Sequence, residues 1–169
     1  MKTNRLSILF LAAVLAFSSC RKTTDTEIIV TPIAPETING EITTNKTLTA
    51  DRTWILDGVV LVKSGAVLTV EPGTIVKAKI GTKAALVIDK GSKLVADGTV
   101  TKPIVFTSGK DAGSRTPGDW GGIILVGKAP TNRTTPIQVE GGVNLTYGTD
   151  NVPADNSGIL RYVRIEYAG

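Results

Sequence analysis

Residues 122–128 read Gly-Ile-Ile-Leu-Val-Gly-Lys. That is the spacing of a phosphate-binding loop, G-x-x-x-x-G-K-[ST], up to its last position, where Ala129 stands. Such a loop needs backbone amides that wrap an anion and a helix whose N-terminus receives it. The intervening residues here are Ile123, Ile124, Leu125 and Val126, which are strand formers. Wrapping a phosphate with them would expose four apolar side chains. Ala129 offers no hydroxyl to magnesium, and Pro130 follows with no helical pattern behind it. The residue types therefore predict a strand bounded by glycines, and no nucleotide partner.

The acidic residues offer a second chemistry. Glu71 and Asp97 hold matching turn positions in a repeat described below. Stacked carboxylates could share a proton or hold calcium, and solvated turn residues are the competing reading. The stretch GTDNVPADNSG from Gly148 carries Asp150, Asn151, Asp155 and Asn156. Asp150 and Asp155 are its weak calcium candidates, without the spacing of an EF-hand or a nonapeptide repeat. Turn-forming bonds to the backbone compete for the same oxygens. Calcium is the one cofactor the residues could hold. Among the aromatics Trp54, Trp120, Tyr147, Tyr162 and Tyr167, the ligand-contact candidates are Trp120 and Tyr147, each beside a loop. Packing at coil ends is the alternative use of such rings.

Other chemistries fall to composition. There is no histidine and one cysteine, which excludes a Ser-His-Asp triad, a Cys-His nucleophile, a standard zinc site and an intrachain disulfide. No catalytic residue is assigned, so a non-enzymatic protein is the first reading. The net charge is +4, and no basic cluster exceeds Arg21-Lys22. Nucleic acid is therefore not an expected partner.

The leader is the most specific signal. Residues 1–20 read MKTNRLSILFLAAVLAFSSC. Lys2 and Arg5 form a basic start, and Leu6 to Phe17 are apolar apart from Ser7. The run is too short to span a bilayer and sits where a signal peptide belongs. With Ser18, Ser19 and Cys20 behind it, it resembles a bacterial lipoprotein signal peptide. The resemblance implies a signal peptide over 1–19, lipidation of Cys20 and a membrane partner through that lipid. Arg21 after the cysteine favours the outer membrane and leaves the periplasmic and surface leaflets open. Residues 20–37, with prolines and threonines, read as the lipidated N-terminus and a tether.

From about residue 38 the chain reads as strand after strand. Val, Ile and Leu dominate the apolar content, aromatics are 5%, and glycines number 18. VLVKSGAVLTVEPGT from Val60 matches LVIDKGSKLVADGT from Leu86. Gly65 meets Gly91, Leu68 meets Leu94, Glu71 meets Asp97 and Thr74 meets Thr99, with one residue lost at Pro72. TKPIVFTSG from Thr101 is echoed by TTPIQVEGG from Thr134. A repeat of 20–30 residues made of short strands without a helix predicts a solenoid, each coil burying one face on the next. Loops leave it at 109–119, 127–136 and 145–157. Residues 38–57 are expected to cap its start. A β-sandwich would prefer hairpin pairs, and Asn39-Gly40 is the one the pattern offers.

KPIVFTS from Lys102, GDWGGIILVGKAP from Gly118 and SGILRYVRIEYAG from Ser157 resemble coil motifs of a Bacteroidetes family. Its members are secreted or lipid-anchored right-handed parallel β-helix proteins, mostly of unknown function. The resemblance covers roughly residues 38–169 and implies an all-β fold. It carries over no catalytic residues. Family members run on for many more coils, so the chain is expected to be the front part of a longer protein or of an interrupted gene. The function expected is an outer-membrane or cell-surface lipoprotein whose loops serve adhesion, glycan binding or assembly with other surface proteins. The alternative is the N-terminal part of a polysaccharide lyase or glycosidase.

Overall fold

The computed structural model describes residues 33–169. The expected signal peptide and Cys20 lie outside the described residues. Among those residues there are thirteen strands, and no helix is long and apolar enough to cross a membrane. In chain order they are β1 (Glu36–Ile42), β2 (Lys46–Leu48), β3 (Thr53–Val62), β4 (Val67–Val70), β5 (Ile75–Ala78), β6 (Ala85–Ile88) and β7 (Lys93–Asp97). There follow β8 (Ile104–Ser108), β9 (Ile123–Leu125), β10 (Ile137–Gln138), β11 (Thr146–Tyr147), β12 (Gly158–Arg161) and β13 (Val163–Ile165).

The chain winds repeatedly through three parallel ladders. One takes the first half of β1, the first half of β3, then β5, β8 and β13. The second takes the remaining halves of β1 and β3, then β6 and β9. The third takes β2, β4, β7 and β12. This is a parallel β-helix, as the repeat predicts.

Alternation along each strand decides what the coil encloses. Trp54, Val76, Phe106 and Ile165 stack in register up the first ladder. Ile42, Val62, Ile88 and Leu125 stack up the second, and Leu48, Val70, Ala96 and Leu160 up the third. Burying one such aliphatic side chain contributes about 1.5–3 kcal/mol, so columns of them hold the coils in register. In the last coil Leu125, Leu160 and Ile165 are 43%, 45% and 46% exposed.

Several expectations are corrected by this register. Strand β1 begins at Glu36, inside the stretch read as tether. Residues 38–57, the stretch expected to cap the start, carry most of β1, all of β2 and the beginning of β3, and β1 and β2 pair in register with β3 and β4 as a first coil. Asn39-Gly40 is not a hairpin. The register shifts there, Gly40 has φ 64°, and the strand bends from one ladder to the next. The alignment at Thr99 also changes. Leu68 faces Leu94 as expected, but Ile75 faces Val105, so the later coil gains residues at its corner and loses none. A turn in which Thr99 and Lys102 exchange backbone bonds absorbs the extra length.

The echo at TTPIQVEGG is not a coil either. Ile137–Gln138 pairs antiparallel with Thr146–Tyr147 in a hairpin. The loops read at 127–136 and 145–157 are thus parts of one excursion between β9 and β12. It packs on the outer side of the second ladder, where Ala85, Val87, Val126, Val139 and Val143 form a second core. This explains why β6, Ala-Leu-Val-Ile, is buried on both faces.

Candidate functional site

The corner between the first two ladders widens from coil to coil. It is a single turn about Gly40 and then about Gly58. It becomes the loop 79–84, and finally the long loop 109–122. The last two of these corners form one wall of a surface groove, and the hairpin excursion forms another.

One carboxylate organises the longest corner. Asp119 accepts bonds from Ser108 Oγ at 2.6 Å, Lys110 Nζ at 2.5 Å, Thr116 N at 3.0 Å and Thr116 Oγ1 at 2.9 Å. Its side chain is 3% exposed. Lys110 first, then Ser108, holds its carboxyl far below the usual carboxylate range. An acid so committed is a permanent acceptor that shapes the loop.

The groove has two chambers. The first, about 660 Å³, is bordered by Ile124, Val126, Ile137, Gln138, Glu140 and Tyr147. The second, about 690 Å³, is bordered by Ile80, Lys83, Lys110, Asp119, Ile124 and Val143. They share Gly121, Ile124, Gly141 and Gly169, so they are continuous. Both volumes fall in the range of small-ligand sites, roughly 300–1,000 Å³. In the first chamber Gln138 Nε2 is held by the carbonyl of Val143 at 2.9 Å. Among the described residues Glu140 and Lys83 make no ion pair, and both are exposed.

The candidate ligand residues separate here. Tyr147, 36% exposed, borders the first chamber. Trp120 borders the second, but its ring is no platform. The residue is 2% exposed, belongs to the coil core, and donates Nε1–H to the Glu166 carbonyl at 2.8 Å. A large ring where a loop rejoins a strand fills the corner and satisfies its one donor. Trp54 does the same, donating to the Thr49 carbonyl at 2.9 Å with Lys46 and Arg52 over its ring. Tyr162 and Tyr167 remain exposed, the latter beneath Arg115.

The calcium candidates are also used otherwise. Asp150 pairs with Lys90, which fastens the excursion to the coil, and Asp155 accepts the Lys128 amide at 2.8 Å, which ties the two ends of the excursion together. Among the described residues no three acidic side chains converge on a metal position. Glu71 and Asp97 each follow the last pair of one register, Val70 with Ala96, but each is employed separately. Glu71 accepts the Ala50 amide at 3.0 Å, and Asp97 takes two bonds from Arg161 at 2.5 and 2.7 Å, pushing that guanidinium further up. The phosphate-loop look-alike is strand β9 and its flanks, paired parallel with β6. Its backbone is committed to a ladder and cannot wrap an anion.

Sequence reasoning missed Gln138, Glu140 and Lys83. The available signal was Gly141-Gly142 between two short alternating runs, a hairpin pattern. Coils whose strands are flanked by lengthening corners and a folded excursion define a parallel β-helix with a groove on its side. The family model for the pectate-lyase like beta helix domain matches residues 40–169, and the chain belongs to that family. No curated protein and no solved structure matches the chain.

Proposed function

We propose that the protein is an outer-membrane lipoprotein, anchored through Cys20, whose β-helix offers its lateral groove to glycans. The observation that carries the reading is the groove itself. Its first chamber sets an exposed phenol ring and aliphatic side chains beside Glu140 and the amide of Gln138. That pairing suits a sugar, which presents an apolar C–H face and a rim of hydroxyls. The coil interior is occupied by packed side chains, so ligand contact falls to the loops.

The test is a glycan array on the full chain, followed by calorimetry on the sugars retained. Tyr147→Ala is expected to weaken binding about tenfold, the loss of one stacking contact. Retention of the same sugars at unchanged affinity by that variant would remove the groove from the reading. Incorporation of labelled palmitate into the chain, lost in Cys20→Ser, tests the anchor.

A second reading rests on Glu140, a groove carboxylate without an ion-pair partner among the described residues. It makes the chain part of a polysaccharide lyase or glycosidase, where such a group would act as acid or base. Turnover of a polysaccharide by the chain, abolished in Glu140→Gln, would favour it over binding alone.

A further inference from the structure

The two chambers differ in charge, and that difference bears on which glycan fits. The first chamber contains Glu140, exposed and outside any ion pair among the described residues. The second contains two lysines and one aspartate. Lys110 and Asp119 neutralise each other there at 2.5 Å. Lys83 is left as the uncompensated charge of that chamber.

The backbone at Lys83 fixes where the residue stands. Its φ is 53°, a left-handed conformation that side-chain-bearing residues seldom adopt. The turn holding it is well braced. Thr82 Oγ1 donates to the Lys79 carbonyl at 2.9 Å and accepts the Gly58 amide of the coil below at 3.0 Å. Glycine would occupy such a turn without strain, as Gly81 does two residues earlier at φ 77°. A lysine placed there costs backbone energy and sets a cation at the chamber wall.

We infer that the groove selects a linear glycan of mixed charge, with a neutral sugar in the Tyr147 chamber and an acidic sugar in the Lys83 chamber. The inference rests on the glycan-binding reading above and deepens it. A uniformly acidic polymer would place one carboxylate against Glu140, where like charges repel. A neutral polymer would leave Lys83 unanswered. Alternation of the two kinds of sugar matches both chambers at once. The two chambers meet at Gly121, Ile124, Gly141 and Gly169, and, its chain neighbours aside, nothing lies within 4 Å of where a Cβ on Gly141 would stand, so that side of the junction is open.

The test compares three hexasaccharides on the full chain by calorimetry. They are cellohexaose, hexagalacturonate, and a hexamer alternating glucuronate with N-acetylglucosamine. The alternating hexamer is expected to bind about fivefold more tightly than either of the others, the size of one partly exposed charge contact. Lys83→Asn, chosen because asparagine tolerates a left-handed backbone, should lower the ratio of alternating to neutral affinity by about fivefold. Glu140→Gln should narrow the gap between the alternating and uniformly acidic hexamers. Hexagalacturonate binding as tightly as the alternating hexamer, or an unchanged ratio in Lys83→Asn, would overturn the charge assignment while leaving glycan binding intact. Failure of every sugar to bind would overturn the glycan reading and this inference together.

Discussion

Phe106→Ala tests the coil directly. Phe106 is the bulkiest of the fully buried side chains, stacked between Val76 in the coil below and Ile165 in the coil above. Removing a buried phenylalanine ring costs about 3–5 kcal/mol when the cavity persists. Ile165 is partly exposed and can settle into the space, which places the expected loss near the lower end, about 3 kcal/mol. Each coil touches only its neighbours, so the loss should concentrate above β5. The two buried tryptophans report on this separately. Trp54 sits in the second coil and Trp120 beside the last. In urea, with a slope of about 1–3 kcal/mol/M, the Trp120 transition should move down by about 1–3 M and the Trp54 transition by less. Val105→Ala, one residue away on the outward side, should cost under about 1 kcal/mol. Equal losses for the two variants would refute the assignment of inward and outward faces. Identical shifts of both tryptophans would refute the nearest-neighbour picture.

Three other outcomes follow from particular contacts. Gly158→Ala would place a Cβ 1.8 Å from the Leu94 carbonyl oxygen at a φ of 130°, so β12 must leave β7. The expected loss is about 3 kcal/mol, seen as faster amide exchange at Leu94 and Gly98, which bond to the carbonyls of Ser157 and Arg161. Val87→Asp would set an unpaired carboxylate in the second core at a cost of about 3–5 kcal/mol. Exchange should then rise across the 127–156 excursion while β3 to β5 keep their protection. Asp119→Asn should loosen the 109–119 loop at neutral pH, read as faster exchange of the Thr116 amide. In the native protein the folded pKa of Asp119 lies below its unfolded value, so its stabilisation is present above the ordinary carboxylate range. It is lost only as the pH falls through the folded value. Thr116 protection that disappears already near pH 5 would contradict this.

The coil was legible because its signal is local and repeated. Leu68 and Leu94 carry the same role one coil apart, and residue type alone shows that Ile123 to Val126 cannot cradle a phosphate. The turn counts were less legible. Glycine and proline mark a corner without stating how many residues it holds, and the corner at 98–103 proved longer than its predecessor. Trp120 was read as a ligand contact for a similar reason. A tryptophan beside a loop looks alike in sequence whether its ring faces solvent or the core, and the bond to the Glu166 carbonyl resolves it.

By itself the sequence determined an all-β chain of stacked coils, with inward columns set by strict alternation, because each parallel ladder repeats one pattern at nearly one spacing. It also determined which chemistries were excluded, since no arrangement supplies a missing histidine or a second cysteine. Only the tertiary structure decided the groove. Its walls come from corners and an excursion far apart in the chain, and Glu140, Tyr147 and Lys83 share no local pattern. The excursion folds where it does because Val139 and Val143 cover Ala85 and Val87. That burial is a contact between distant segments, which no periodicity within either one encodes.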